Sequence, residues 1–172
     1  MTSEQGDERA TQIEVARKIA LDQLAVRQRS AKELRQAMDK RNVPADVAEE
    51  ILERFTEVGL VDDAAFAAAV TQSRARNSLR GKARIRQELR EKGVDRETAE
   101  EALAELDPEE ELAAALELGR RKARSMARLE PHVARRRLAG VLARRGFSSS
   151  VTAAVLAEVT AQDPVEFSTG EQ

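Results

Sequence analysis

The 172-residue sequence has no cysteine, tryptophan or tyrosine, and it has a single histidine, His132. Without cysteine, the chain forms no disulfide and carries out no thiolate chemistry. With one histidine and no cysteine, it cannot assemble a His/Cys metal cluster or a Cys-His catalytic pair, and a Ser-His pair could involve only His132. We expect His132, which follows Pro131 at a predicted helix start, to be solvated or lightly packed. These absences predict a protein that is not an enzyme and needs no metal or cofactor.

Aromatic residues are scarce, and long apolar runs are missing. Four Phe are the only aromatics, and Phe55, Phe66 and Phe147 fall at positions that fit a core. The stacking platform with which single-strand binders hold bases is therefore absent. No segment approaches the roughly 18 consecutive apolar residues of a spanning helix, and the polar, acidic start is unlike a signal peptide. We expect a cytoplasmic protein with no membrane contact.

Nucleotide-binding and acid–base motifs are also missing. The glycines form neither a Walker loop nor a G-x-G-x-x-G turn, and those at 59, 93 and 146 lie at predicted helix ends. Asp62 and Asp63, like the acidic run 109–111, sit where a helix is predicted to begin. Carboxylates at a helix start cap the backbone and complement its dipole, so we assign them that role rather than catalysis or magnesium binding.

The residues that are abundant, chiefly Ala, Leu, Glu and Arg, favour helices. Ser30 with Glu33 fits a capping box, and Asp107 followed by Pro108 fits another helix start. Asn42, Gly59, Gly93 and Gly146 fit helix stops, because these residues enter the left-handed conformation at low cost. The sequence predicts an all-α protein with nine helices, at roughly 11–28, 30–41, 45–58, 63–78, 80–92, 96–106, 108–128, 132–145 and 149–161.

The predicted helices repeat in groups of three. Shifting the sequence by 51 residues aligns 30–55 with 81–106, and a further shift of 53 aligns Leu89 with Leu142 and Gly93 with Gly146. Each unit of about 50 residues is too small for an ample core of its own, so neighbouring units should support one another in an elongated array. We predict repeats at 11–59, 60–106 and 107–162, with disordered tails at 1–10 and 163–172.

Positive charge is concentrated in two segments, although the whole chain has a formal net charge of −2. Eight Lys or Arg face two Glu over residues 74–92, and ten face one Glu over residues 120–145. Helical spacing places Ile85 and Leu89 inward in the first segment and Leu138 and Leu142 inward in the second. The candidate binding residues are Arg74, Arg76, Arg80, Lys82, Arg84, Arg86, Arg90, Lys92, Arg135, Arg136, Arg137, Arg144 and Arg145.

Two interpretations of these basic segments remain open at this point. Arg and Lys are good helix formers, so the segments fit solvated surfaces offset by local acids. Alternatively, rows of guanidinium groups fit a polyanionic partner, either backbone phosphates or an acidic protein surface. Binding to bases is disfavoured by the missing aromatics.

Several motifs resemble those of RecX regulatory proteins. The stretch GLVDDAAFAAAVTQSRARNSLRGKARIRQELREKGVD, residues 59–95, is similar to that family's G-x-x-D-D-x-x-[FY]-A start, S-R segment, basic R-I-x-x-E-L helix and K-G-[VI] end. LAVRQRSAKEL at 24–34 resembles its opening motif, and LARRGF at 142–147 its closing L-x-x-R-G-[FY]. The resemblance covers roughly residues 13–160.

The resemblance implies a curved, elongated array of three tandem three-helix repeats. It also implies a monomer that binds the RecA recombinase in the groove of its DNA-bound filament, with at most a weak direct contact to DNA. Such a protein suppresses filament growth, ATP hydrolysis, strand exchange and co-protease activity without being an enzyme. The family's functional residues carry over only to the basic helix Arg80–Lys92, with Arg74 and Arg76 before it. The alternative is a sequence-tolerant protein that acts on DNA directly.

Overall fold

The computed structural model describes residues 2–161, and over this range the chain is helical and contains no strand. The all-α prediction is confirmed, and the nine helices fall close to their predicted positions. The predicted tail at 163–172 lies outside the described residues. The helices are α1 Thr2–Val26, α2 Ala31–Asp39, α3 Ala45–Glu57, α4 Asp63–Ser78, α5 Lys82–Glu91, α6 Arg96–Ala104, α7 Pro108–Arg124, α8 Pro131–Arg144 and α9 Ser149–Ala161.

Helix α1 begins at Thr2, whereas the sequence prediction began it at residue 11. The helix therefore includes residues 2–10, which the sequence prediction assigned to a tail. Arg9 gives a physical reason: its guanidinium donates to Asp46 at 2.6 Å and to Glu50 at 2.9 Å, both on α3. These long-range pairs fix the first turns of α1 against α3, and nothing in the local sequence signals them.

The predicted helix ends are confirmed where the structure gives their geometry. The Ser30 hydroxyl accepts from the Glu33 N–H at 3.2 Å, and the Glu33 carboxylate accepts from the Ser30 N–H at 3.3 Å, which is a complete capping box. Asp107 caps α7 by accepting from the Glu109 N–H at 2.9 Å. All four predicted stops have positive φ, between 58° at Asn42 and 89° at Gly146.

The chain divides into two compact units, and the first contains residues up to Val70 together with Glu88–Ala102. In this unit α1, α2 and α3 pack against one another. Their core contains Leu34, Met38, Val47 and Ile51, none more than 2% exposed, and the predicted core residue Phe55 at 6%.

The second unit contains Thr71–Gln87 and the chain from Leu103 onward. In this unit α7, α8 and α9 pack against one another. Leu118, Leu138, Leu142 and Val155 form the core with Phe147. Leu79, which joins α4 to α5, belongs to this core despite a positive φ of 47°.

In the first unit, the start of α2 is held against the end of α5. The Ser30 hydroxyl donates to the Lys92 carbonyl at 2.6 Å, and the Lys32 ammonium donates to the Glu91 carbonyl at 3.0 Å. A Cβ on Gly93 would lie only 2.5 Å from the Lys32 Cβ. These bonds satisfy carbonyls that the last turn of α5 leaves unpaired.

The second unit repeats the arrangement between the start of α5 and the end of α8. The Gly81 N–H donates to the Arg145 carbonyl at 2.8 Å, and the Ala83 N–H donates to the Gly146 carbonyl at 3.2 Å. A Cβ on Gly146 would collide with the backbone of Arg84. In each unit, therefore, the start of the second helix of one repeat contacts the end of the second helix of the next repeat.

Candidate functional site

Some of the basic residues predicted to meet a partner form polar contacts within the chain. In the second unit, the Arg76 guanidinium donates to Glu110 at 2.9 Å. In the first unit, Lys92 donates to Glu33 at 2.9 Å, and its ammonium lies 5.9 Å from the centroid of the Phe66 ring. Lys92 is only 23% exposed at its side chain, so its first role is structural.

Glu33 is at the centre of this contact in the first unit. Burial favours a higher pKa for its carboxyl, but hydrogen bonds from Arg27 and Lys92, with a further one from the Ser30 backbone, lower the pKa to about 2. Arg27 contributes two bonds, at 2.9 and 3.2 Å. The Glu33 carboxylate is therefore ionised at every physiological pH and holds α2 to the end of α5.

The other predicted residues on and before α5 differ in their surroundings. Arg74, Arg80 and Arg86 all take part in polar interactions. The Lys82 N–H donates to Glu111 at 3.2 Å, which gives an orphan donor of the α5 start a partner. The side chains of Lys82 and Arg84 are half-buried and that of Arg90 is exposed.

Helix α8 carries the more open basic surface. Arg135, Arg136, Arg137 and Arg144 are exposed, and the helix contains no acidic residue. For these four guanidinium groups, no ion pair is formed within the range 6–160, where side chains are described. Arg145 differs, because it is half-buried and donates to the Ser78 carbonyl at 2.8 Å.

The predicted inward residues of α8 are confirmed, and they fix which side faces outward. Leu138 is 4% exposed and Leu142 is fully buried. Arg136, Gly140 and Arg144 follow one another at four-residue intervals on the opposite side, where successive side chains are neighbours. Helix α7 packs against α8, and its last turn contains Arg121, Lys122 and Arg124.

Sequence reasoning missed three residues of this region. It assigned Glu33 and Glu111 to capping their own helices, whereas the structure also joins Glu33 to Lys92 and Glu111 to the start of α5. Partners 29 and 59 residues away leave no local signal. It also gave no role to Gly140, although a glycine inside a helix is a visible anomaly.

In the described part of the chain, no group of three or more His, Cys, Asp or Glu residues suited to a metal is found. Within the same residues, no helix combines the length and apolarity needed to cross a membrane. What the geometry provides is guanidinium groups on helical surfaces, which bind phosphate or carboxylate oxygens in bidentate fashion.

Comparison with known proteins identifies the repeats. Sequence models of the first, second and third three-helix domains of RecX match residues 16–55, 62–103 and 109–156. The prediction of three tandem three-helix repeats is therefore confirmed. Each match falls inside one of the predicted repeats.

Individual relatives agree with the domain matches. A regulatory protein RecX of Streptomyces coelicolor is 37% identical over 94% of this chain and 86% of the relative. One of Mycolicibacterium smegmatis is 41% identical over 86% of this chain and 81% of the relative. The crystal structure of RecX from Lactobacillus salivarius, at 21% identity, shares the fold with a TM-score of 0.80 over 88% of this chain and 99% of that one. With all three domains matched in order and two relatives above 30% identity, the chain belongs to the RecX family of regulatory proteins.

Proposed function

We propose that this protein binds the RecA recombinase on its DNA-bound filament and inhibits filament growth, ATP hydrolysis, strand exchange and co-protease activity. It acts by occupying the filament rather than by catalysing a reaction. The observation that carries the proposal is the family match, which includes all three domains in order.

The distribution of charge supports the same proposal. A RecA filament on DNA presents phosphates together with protein surface, and a binder of both needs cations that are not consumed by internal ion pairs. The four exposed arginines of α8, with Arg90 of α5, meet that need. The absence of Tyr and Trp disfavours a protein that holds bases by stacking.

The direct test is RecA-catalysed ATP hydrolysis on single-stranded DNA, with this protein titrated from substoichiometric to equimolar amounts. We expect ATP turnover to fall already at ratios below one protein per RecA subunit, because one bound molecule interrupts the contacts of several subunits. Undiminished turnover at equimolar protein would contradict the proposal.

A charge-reversal variant refines this test. Lys82→Glu combined with Arg90→Glu changes α5 at two residues that form no ion pair with any described residue. We expect weaker inhibition at unchanged thermal stability. The matched control, Lys40→Glu with Arg41→Glu, makes the same change of charge at exposed residues outside both basic segments. Equal loss of inhibition in the two variants would show that only net charge matters.

The alternative, a protein that acts on DNA alone, differs from the proposal in its expected affinity for free DNA. If it were correct, the protein would bind DNA tightly without RecA, with a steep dependence on salt, and inhibition would follow DNA occupancy. We expect instead that inhibition is complete at protein concentrations where binding to free DNA is still weak.

A further inference from the structure

A groove runs between α2 and α3 in the first unit, and we call it the α2–α3 groove. Its larger part, of about 400 Å³, lies between Ala31 and Arg35 on α2 and one face of α3. Its smaller part, of about 290 Å³, extends to the loop that joins α3 to α4. The two parts adjoin, because Ala31 and Thr56 line both. The residues that α3 contributes are Glu49, Leu52, Glu53, Thr56 and Glu57.

The floor of the α2–α3 groove is apolar, and so are the side chains at its loop end. Leu52 and Val61 line the groove and are otherwise buried. Gly59 lines it too, and the residues on either side of Gly59 are Val58, which is 70% exposed, and Leu60, which is 48% exposed. Scattered exposed hydrophobics are common on protein surfaces, but a pair beside an apolar groove is typical of a contact surface.

The charge around the α2–α3 groove is negative. Arg35 donates two bonds to Glu49, one of them at 2.9 Å, so these two charges neutralise each other. Glu53 and Glu57 line the groove one turn apart, and Asp62 lines its loop end while capping α4. These three carboxylates are exposed and form no ion pair within residues 6–160, where side chains are described. Such a surface repels phosphates and attracts Lys or Arg side chains.

The shape of the α2–α3 groove fits a helix. The described part of the chain contains no strand, so a partner segment finds no sheet edge there to extend. The lining residues of α3 recur at intervals of three and four, which places them on one face of the helix. From Glu49 to Glu57 this face is roughly 12 Å long at 1.5 Å per residue, about two helical turns. An amphipathic helix can lay its apolar side into a groove of this length.

We propose that the α2–α3 groove binds an amphipathic helix of a partner protein. The apolar side chains of this helix lie on Leu52 and Val61, and its Lys or Arg residues face Glu53 and Glu57. The proposal goes beyond the proposed function, because its chemistry specifies a basic, apolar helix and does not require that the helix belong to RecA. It gives the first unit a protein-binding surface whose charge is opposite to that of the basic segments.

The test measures binding of fluorescein-labelled peptides to the full chain by fluorescence anisotropy, without RecA or DNA. The probe is a peptide of about 15 residues, long enough for partial helix formation, with leucine at every third or fourth position and lysine on the flanks. One control peptide has the same composition with its leucines distributed around the helix. The other has glutamate in place of lysine. We expect the probe to bind about tenfold more tightly than either control, a difference of about 1.4 kcal/mol.

Neutralising the groove carboxylates tests the role of charge. Glu53→Gln with Glu57→Gln should weaken binding of the probe by about tenfold, roughly threefold for each exposed charge pair that is lost. The matched control is Glu97→Gln with Glu101→Gln, the same change at two exposed glutamates one turn apart on α6, within the first unit. This control should leave the affinity close to that of wild type.

Two further variants test the apolar contact and the position of the peptide. Val58→Ser should weaken binding, whereas Val26→Ser, at a valine that is 77% exposed, should not. Thr56→Arg places a long side chain where the two parts of the groove adjoin, so binding should be lost. Arginine is the better helix former, and the melting temperature should stay the same or rise. Thr11→Arg is its control, because each threonine is exposed and donates to the carbonyl four residues earlier in its helix.

The other outcomes count against the proposal. Equal affinity for the probe and the peptide with distributed leucines would show that charge alone is recognised, and so would unchanged affinity in Val58→Ser. Wild-type affinity in Thr56→Arg, or equal losses in the two glutamate variants, would show that the peptide binds elsewhere. RecA is absent from these measurements, so a failure of RecA inhibition would contradict the proposed function and leave the result for the groove as it stands.

Discussion

Replacing Glu33 by glutamine should destabilise the first unit strongly, because one carboxylate serves three purposes there. It accepts from Lys92 at the end of α5, from Arg27 after α1, and from the Ser30 N–H in the capping box. Glutamine keeps the size and one acceptor oxygen but removes the charge. Lys92, three-quarters buried, is then left without its ionic partner.

The magnitude follows from the pKa of Glu33. The pKa falls from 4.5 to about 2 on folding, and each pKa unit corresponds to about 1.4 kcal/mol of preference for the ionised form. The ionised carboxylate therefore contributes about 3 kcal/mol to the free energy of unfolding. Because folding lowers the pKa, this contribution is fully present above pH 4.5 and is lost as the pH falls towards about 2.

The assay is urea unfolding at neutral pH, with hydrogen exchange of peptides from the first unit to localise the loss, since two compact units need not unfold together. The control is Glu49→Gln, which breaks an exposed pair with Arg35 and should cost less than about 1 kcal/mol. The difference in free energy of unfolding between wild type and Glu33→Gln should become smaller as the pH is lowered through 4.5. Equal costs for the two variants, or a gap independent of pH, would refute the reasoning.

Three further predictions concern the helix junctions and ends. Gly146→Ala should lower the free energy of unfolding by about 3 kcal/mol, because it combines a left-handed φ with a clash against α5. Gly59→Ala has the same kind of φ but open space around it, so it should lower the free energy of unfolding by about 1 kcal/mol. Thermal melts compare the two variants. Asp107→Ala should cost about 1 kcal/mol through loss of the α7 cap, and no change in urea midpoint would contradict that role. Lys92→Ala should lower the free energy of unfolding by about 2 kcal/mol, whereas Arg90→Ala should change it by less than about 0.5 kcal/mol. A larger loss for Arg90→Ala than for Lys92→Ala would contradict the structural role of Lys92.

Local features of this fold could be predicted from the sequence because their signals are local. The Ser30 capping box, the Asp107 cap and the positive φ at Gly93 each follow from residue types a few positions apart. The spacing of Leu138 and Leu142 likewise predicts which side of α8 is buried. Such signals also predict the repeat, since the same kinds of helix start and helix stop recur along the chain.

Long-range pairing is what the sequence did not reveal. Nothing near Arg9 indicates that it meets α3, and nothing near Lys92 indicates that Glu33 is its partner. Basic residues on a helix look alike in sequence whether they face a partner or an acid of the same chain. The division of the candidate residues into those that form an ion pair within the chain, such as Arg76, and those that form none with a described residue, such as Arg136, therefore required the structure.

The start of α8 has a consequence for how a further repeat could be joined to this array. The starts of α2 and α5 each place backbone or cap groups on the end of a later helix, at Lys92 and Arg145. Helix α8 begins instead at Pro131, which has no N–H to donate, and its N-cap residue forms no side-chain cap. The residues that contact a later helix are the N-cap and the second helical residue, which are Ser30 and Lys32 in α2 and Gly81 and Ala83 in α5. A fourth repeat joined to α8 in the same manner would therefore contact Glu130 and His132, the residues on either side of Pro131.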